Sequence, residues 1–220
     1  MSIPLALVYR GPAARPSACS DAVAELLRSS PYGFDVRFVG PRGELPLEPQ
    51  ILSHAAVYAQ PGGGELAPAY RRMRKYRSTI RTYVAEGGSY LGFCLGGYLA
   101  GATPGFGLLP GDTDRYITSS DAVTRSSHDT LVEVRWRGQR RRMFFQDGPI
   151  FLLESDVGVT VLARYSNNGV AAVVAPFGRG RVAVVGPHPE ATSDWFVDSG
   201  LSQVPALDLG NDLVDAVMYR

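Results

Sequence analysis

The stretch GGSYLGFCLGGYLAG, residues 87–101, places six glycines around a single cysteine, Cys94. Its first part, SYLGF (89–93), predicts a short buried strand that ends at Cys94, and LGGYLAGA predicts the start of a helix directly afterwards. A strand that turns sharply into a helix is the setting of a nucleophile elbow, where flanking glycines are needed because side chains would collide. Gly92 and Gly96, each two residues from Cys94, supply that pattern.

Two interpretations of this motif are open. As an elbow, it places Cys94 at a helix start, where the helix dipole and free N–H groups favour the thiolate nucleophile. As a purely structural feature, it is a buried cysteine in a glycine-rich corner between a strand and a helix. The motif alone does not separate the two.

Composition sets the class of protein. The chain has 220 residues, of which 45% are hydrophobic and 20% charged, which fits one domain over residues 1–220 with a full core. A net charge of +1 gives no reason to expect nucleic acid or an anionic membrane as partner. No window reaches the roughly 18 apolar residues of a membrane helix. Cys19 and Cys94, the only cysteines, are too few for a disulfide framework or a zinc cluster.

The N-terminal stretch MSIPLALVYRGP has a short apolar run without a basic region before it, which predicts a buried strand and not a signal peptide. Together with the cysteine content, this favours a reduced, cytoplasmic protein.

Strands and helices alternate in the first half of the chain, which predicts an α/β fold with a mostly parallel sheet covered on both faces. The predicted strands there are 3–9, 34–40, 55–60 and 89–93, and the predicted helices lie near 17–29 and over 65–88. From about residue 131, short turns such as SNNG and GRG join successive strands, which predicts antiparallel additions to the main sheet. These strands are predicted at 131–136, 141–146, 157–165, 170–177 and 181–186.

Two basic segments have structural explanations. In YRRMRKYRSTIR (70–81) the cations recur along a helix, which favours a solvated face, with a phosphate site as a minor alternative. The inward stripe of that helix would be Tyr70, Met73, Ile80 and Val84. RGQRRR (137–142) is typical of the exposed turn of a hairpin.

A base for the nucleophile is predicted in VAVVGPHPEAT (182–192), where a strand ends at Gly186 and is followed by His188 and Glu190. In an extended segment these two side chains point the same way, so Glu190 can orient the imidazole while its other nitrogen faces Cys94. Parallel α/β sheets gather reactive groups at the carboxyl ends of their strands, where both segments are predicted to lie. The pattern therefore predicts a Cys-His-Glu triad.

The other histidines, His54 and His128, lack comparable settings. A metal site at His188 and Glu190 is disfavoured, because the sequence has no H-x-H, H-E-x-x-H or cysteine cluster to complete it. We therefore expect neither a metal nor another cofactor.

The segment VYAQPGGGE (57–65) predicts an oxyanion hole, since three glycines directly after a strand let backbone N–H groups approach a substrate carbonyl. The predicted donors are the amides of Gly63 and Gly64, together with that of Leu95 after the nucleophile. The alternative is a flexible turn into the next helix.

The segments PGGG, GFCLGG and HPE resemble the class I glutamine amidotransferase-like superfamily. With VYRGP, FFQDGPIF, VLARY and AAVVAPFGRGRVAVVGPHPE in the same order, the chain is similar to the amidotransferase-like N-terminal domain of eukaryotic-type biotin–protein ligases over about residues 5–192. The resemblance implies a flavodoxin-like three-layer sandwich and the triad Cys94, His188 and Glu190. It leaves the activity of the domain undefined.

Two features limit this resemblance. Glutamine-hydrolysing relatives usually have Gln four residues after the nucleophile, where this chain has Tyr98, a predicted substrate-binding residue that makes glutamine a doubtful substrate. The GRGR of FGRGRVAVVG (177–186) is similar to a ligase biotin-binding loop but lies between two apolar β runs. Because the chain ends about 30 residues after His188, we expect it neither to adenylate nor to transfer biotin.

The leading functional hypothesis is a cysteine-dependent amide hydrolase or amidotransferase-like enzyme acting on a small carboxamide. The main alternative is a catalytically silent ligand-binding or regulatory module with the same fold, which would contact a protein partner. A redox or glyoxalase-like use of the thiol is a third. Tyr98 favours the silent module, and the complete triad favours the enzyme.

Overall fold

The computed structural model describes residues 3–155 and 157–219; Met1 and Ser2 of the N-terminal stretch lie outside them. Within these residues the chain forms eleven β-strands and seven α-helices. The strands are β1 (Leu5–Tyr9), β2 (Asp35–Val39), β3 (Ala55–Gln60), β4 (Ser89–Phe93), β5 (Gly111–Arg115), β6 (Thr130–Trp136), β7 (Gln139–Phe145), β8 (Pro149–Leu153), β9 (Thr160–Tyr165), β10 (Val170–Phe177) and β11 (Gly180–Val185). The helices are α1 (Ala18–Ser29), α2 (Pro49–Leu52), α3 (Leu66–Met73), α4 (Arg77–Ala85), α5 (Leu95–Ala100), α6 (Ser193–Asp198) and α7 (Leu207–Met218).

Five strands form a parallel sheet in the order β2, β1, β3, β4 and β11. Their near-continuous apolar runs are buried on both faces: in β1, Ala6 and Val8 enter one core cluster, whereas Leu7 and Tyr9 enter the other. Helices α1 and α7 cover the first face, and α2 to α5 cover the second. This is the predicted three-layer α/β sandwich.

The sheet continues from β11 through the antiparallel strands β10, β9, β6 and β7, while β8 pairs with both β10 and β5. The antiparallel additions in the C-terminal half are therefore confirmed. On the side of β11 that faces β4 the pairing is parallel, and there it differs from the predicted antiparallel arrangement. This pairing brings the carboxyl ends of β4 and β11 to the same edge of the sheet.

The helix predicted over 65–88 is two helices, α3 and α4, separated by a 3-10 turn at Arg74–Tyr76. The two parts pack on different partners, since α3 contacts α5 whereas α4 contacts α2 and β11. Of the predicted inward stripe, Met73, Ile80 and Val84 are buried, and Tyr70 packs against them half-buried.

Sequence reasoning missed β5 and β8. The residues of β5, GDTDR, are polar or glycine and give no apolar alternation, and PIFLL of β8 is a short run that begins with proline. The predicted turns are confirmed: RGQRRR contains the β6–β7 turn, and GRG joins β10 to β11. None of the helices among the described residues is long and apolar enough to cross a membrane.

Candidate active site

Cys94 lies in the sharp turn between β4 and α5. Its backbone has φ +46° and ψ −102°, a left-handed region that side chains other than glycine rarely adopt. The surrounding backbone fixes it there, because the Cys94 N–H donates to the Val185 carbonyl at 2.9 Å and its carbonyl accepts the Tyr98 N–H at 3.0 Å. The residue therefore has the strained geometry of a nucleophile elbow.

The flanking glycines are required by close packing. A Cβ at Gly96 would lie 2.0 Å from the carbonyl oxygen of Gln60, and one at Gly92 would lie 2.6 Å from the carbonyl oxygen of Gly96. Both distances are far below van der Waals contact. The collisions expected from the sequence pattern are thus present on both sides of Cys94.

His188 and Glu190 follow β11 and interact directly, with 2.8 Å between His188 Nδ1 and Glu190 Oε1. Both are buried, with 3% and 0% exposure. The His188 N–H donates to the Phe144 carbonyl at 2.9 Å, and its ring packs edge-on against Phe144 and Trp195 at centroid distances of 6.0 and 5.3 Å. These contacts fix the ring orientation, with Nδ1 on the carboxylate.

Gly62 separates the imidazole from the cysteine. A Cβ at this position would lie 2.8 Å from His188 Cε1 and 3.3 Å from Cys94 Cβ, so the two side chains flank the same small space. Sequence reasoning selected Gly63 and Gly64 from this segment and missed the role of Gly62. Because Gly62, Gly63 and Gly64 are consecutive glycines, the sequence could not distinguish their roles.

The charges around His188 favour its protonated form. Burial lowers its pKa, but the negative charges of Glu190 and Cys94 and hydrogen bonds to both more than offset this and raise the pKa to about 10. Glu190 Oε2 is buried without a hydrogen-bond partner within the described chain, which leaves its carboxylate charge incompletely compensated. The imidazole is therefore a strong acceptor for a proton from a neighbouring thiol.

A cavity of about 370 Å³ opens beside Cys94. It brings together Cys94 with the predicted oxyanion residues Gly63, Gly64 and Leu95 and with Tyr98. Gly63 and Gly64 both have left-handed backbones, with φ near +90°, as glycine allows. His188 and Glu190 lie behind this cavity and do not line it. Larger cavities elsewhere, such as one of about 580 Å³ beside α4 and the start of β3, contain none of the predicted site residues.

The remaining wall of this cavity was not predicted. It contains Glu65, Leu66, Arg115, Ser127, Gln146 and Asp147. Arg115 at the end of β5 binds the Asp147 carboxylate through both Nε, at 3.1 Å from Oδ1, and Nη2. The Tyr98 hydroxyl donates to the Asp147 carbonyl at 3.1 Å, and Cys94 Sγ lies 3.6 Å from the Gln146 carbonyl oxygen. A turn signal, QDG after a predicted strand, was the available sequence clue.

The other candidate residues lie apart from this arrangement. His54 and His128 are exposed, and the His54 ring contacts the carbonyl of Gln50 in the preceding helix α2. No group of three or more His, Cys, Asp or Glu side chains that could hold a metal ion occurs in residues 3–155 and 157–219.

Comparisons with known proteins agree with the sequence resemblance. The family model for the N-terminal part of biotin–protein ligase matches residues 5–114, which include Cys94. The biotin–protein ligase of Schizosaccharomyces pombe is 26% identical over 215 residues, covering 86% of this chain and 33% of the ligase, so the chain spans about a third of that relative. Imidazole glycerol phosphate synthase subunit HisH of Synechocystis is 25% identical over 163 residues, covering 65% of this chain and 74% of HisH.

A solved glutamine amidotransferase from Thermotoga maritima has a similar fold, with a TM-score of 0.63 at 13% identity and full coverage of both chains. A second glutamine amidotransferase structure has a TM-score of 0.61 at 20% identity, covering 91% of this chain and 100% of its own.

Proposed function

The chain belongs to the family defined by the N-terminal part of biotin–protein ligase, and from this premise we propose that it is a cysteine-dependent amide hydrolase or amidotransferase-like enzyme. Its substrate would be a small carboxamide. The glutamine amidotransferase-like fold places the end of β4 next to the end of β11, where such chemistry needs its nucleophile and base.

One observation carries this proposal: a histidine held by a buried glutamate adjoins a cysteine in a strained strand-to-helix turn that opens on a cavity. A purely structural cysteine needs neither the left-handed backbone nor the ion pair behind it. Buried charges are costly unless they are paired, so the His188–Glu190 pair favours a chemical role.

In the proposed reaction Cys94 Sγ attacks the carboxamide carbon while its proton passes to His188. The N–H groups of Gly63, Gly64 and Leu95 would stabilise the oxyanion of the tetrahedral intermediate. When the C–N bond breaks, protonated His188 returns a proton to the leaving nitrogen, and ammonia or an amine departs. Water or an acceptor nucleophile then attacks the thioester, loses a proton to His188 and releases the acyl product and Cys94.

A catalytically silent binding or regulatory module is the second candidate. It is favoured by Tyr98, whose ring lines the cavity and whose hydroxyl is already bound to the Asp147 carbonyl. A phenol there takes space that a glutamine side chain would leave to substrate, and it offers one hydroxyl in place of an amide. A protein partner would then be the functional ligand.

Ammonia release from a panel of primary carboxamides that includes glutamine separates the two candidates. We expect at least one carboxamide to be hydrolysed by wild type and by Cys19→Ala, and not by Cys94→Ala. With glutamine we expect weak or absent turnover, improved in Tyr98→Gln. Release that is equal in wild type and Cys94→Ala, for every amide, would favour the silent module. Fast wild-type turnover of glutamine that Tyr98→Gln does not improve would show that Tyr98 is compatible with glutamine.

A further inference from the structure

The end of β7 and the segment that joins it to β8 contact both ends of the proposed triad. The Phe144 carbonyl accepts the His188 N–H at 2.9 Å, and the Gln146 carbonyl oxygen lies 3.6 Å from Cys94 Sγ. The Gln146 carbonyl oxygen is therefore the hydrogen-bond acceptor beside Cys94 on the cavity wall. A main-chain carbonyl can only accept hydrogen bonds, so its direction decides which groups can bind beside the nucleophile.

Several contacts fix that direction through Asp147. The Tyr98 hydroxyl donates to the Asp147 carbonyl, and Arg115 binds the Asp147 carboxylate through Nε and Nη2. Asp147 itself has a left-handed backbone, with φ +47°. At the following residue, a Cβ on Gly148 would lie 2.2 Å from the Gly186 carbonyl oxygen, so the turn is closely packed against the end of β11. A non-glycine left-handed residue persists where its surroundings hold it in place.

The Gln146 carbonyl can accept from the Cys94 S–H but not from a thiolate. A carboxamide that enters the cavity brings an N–H donor of its own, which can replace the S–H on this oxygen.

We propose that the Gln146 carbonyl is the specificity-determining acceptor for the N–H of the substrate amide, and that Tyr98 and Arg115 are positioning residues that hold it through Asp147. This inference rests on the proposed function and names its substrate class: carboxamides that keep at least one N–H. Esters and tertiary amides would leave the carbonyl unpaired, which is the kind of loss that gives polar sites their selectivity.

Three alkylating probes test the N–H requirement without knowledge of the natural substrate. They are 2-iodoacetamide, its N-methyl derivative and its N,N-dimethyl derivative, which carry two, one and no amide N–H groups. In each case Cys94 Sγ displaces iodide from the same CH₂ group. The rate of Cys94 modification, followed by peptide mass spectrometry, is divided by the rate of the same probe with glutathione to remove intrinsic reactivity.

In wild type we expect the two N–H probes to react about fivefold faster than the dimethyl probe after this normalisation, the size of one net hydrogen bond. Two variants should bring the ratio of these normalised rates down towards one. Tyr98→Phe keeps the volume of the ring, and Asp147→Asn introduces a residue that tolerates a left-handed backbone. Tyr219→Phe is the matched control, because its carbonyl contacts Arg181 at the opposite end of β11, and it should keep the wild-type preference.

Equal normalised rates in wild type would overturn the inference. So would a preference that survives both Tyr98→Phe and Asp147→Asn, or an N-methyl probe that groups with the dimethyl probe, since size would then decide. Failure of the proposed function has a different signature: the absolute rate with 2-iodoacetamide would not change in His188→Ala.

Discussion

Cys94 and Cys19 are buried to similar extents, with 7% and 5% exposure, yet they lie in very different regions. Cys19 belongs to the first turn of the regular helix α1, where burial, together with the nearby charges of Glu190 and Cys94, raises the pKa of its thiol to about 12. Cys94 occupies a left-handed turn on the wall of a cavity beside His188. Burial alone therefore does not distinguish the two thiols.

What distinguishes the two is how the backbone presents the sulfur. A helix such as α1 packs its apolar face into the core, and the same charges that surround the triad make ionisation of Cys19 harder. The β4–α5 turn places Cys94 at the edge of the sheet. His188, which follows β11, lies at the same edge, and its imidazole can take the proton of the thiol. The following predictions test this difference.

Loss of the imidazole should have the largest effect. In His188→Ala, alkylation of Cys94 by iodoacetamide near neutral pH should slow by on the order of a hundredfold, because proton transfer by a positioned side chain contributes at least this much. Peptide mass spectrometry over a time course measures the rate. The control is His54→Ala, which replaces an exposed histidine just after α2 and should leave the rate unchanged. A normal rate in His188→Ala would mean that His188 does not act on the thiol.

A smaller effect, on stability, is expected at the turn itself. Gly96→Ala places a methyl group 2.0 Å from the Gln60 carbonyl oxygen, so the free energy of unfolding should fall by about 1–3 kcal/mol, as overpacking does elsewhere. Cys19→Ala in α1 introduces the best helix-forming residue and should cost less. Urea unfolding of both variants makes the comparison. A larger loss in Cys19→Ala would show that the elbow is not the tightly constrained region.

The most gradual effect concerns pH. The pKa of folded His188, about 10, lies above the value of about 6.5 for an unfolded histidine, so protonated His188 stabilises the fold. This contribution is complete below about pH 6.5 and is lost as the pH rises through about 10. The difference in unfolding free energy between wild type and His188→Gln, measured by urea titration, should therefore narrow over this range. A constant difference would contradict the raised pKa.

The grouping of Cys94, His188 and Glu190 was predictable because each of them follows an apolar strand by one to five residues. SYLGF and RVAVVG are local patterns, and both strand ends meet at one edge once the sheet is parallel there. The contact of His188 with Glu190 joins residues only two positions apart, so the local sequence can specify it, although Pro189 and Glu190 form a turn and not the extended segment that was predicted. The fold class could be predicted for the same reason, from strands and helices that alternate along the chain.

The part of the cavity wall that contains Arg115, Gln146 and Asp147 could not be predicted in this way. Cys94 and Gln146 are 52 residues apart, and Arg115 and Asp147 are 32 apart, so their contacts depend on the pairing of β5 with β8. The polar sequence of β5 gives no apolar period to reveal a strand. The break between α3 and α4 was missed for a related reason, since the turn at Arg74–Tyr76 contains no proline or glycine and the two helices contact different partners.

The most direct test of the central claim, that Cys94 is an activated nucleophile, is competitive alkylation of the two cysteines in wild-type protein. A pKa of about 12 leaves Cys19 with a thiolate fraction roughly three-thousandfold below that of a free cysteine of pKa about 8.5. With limiting iodoacetamide near neutral pH, peptide mass spectrometry should therefore find Cys94 modified almost completely before Cys19 reacts. Equal labelling of Cys94 and Cys19 in the folded protein would contradict the claim.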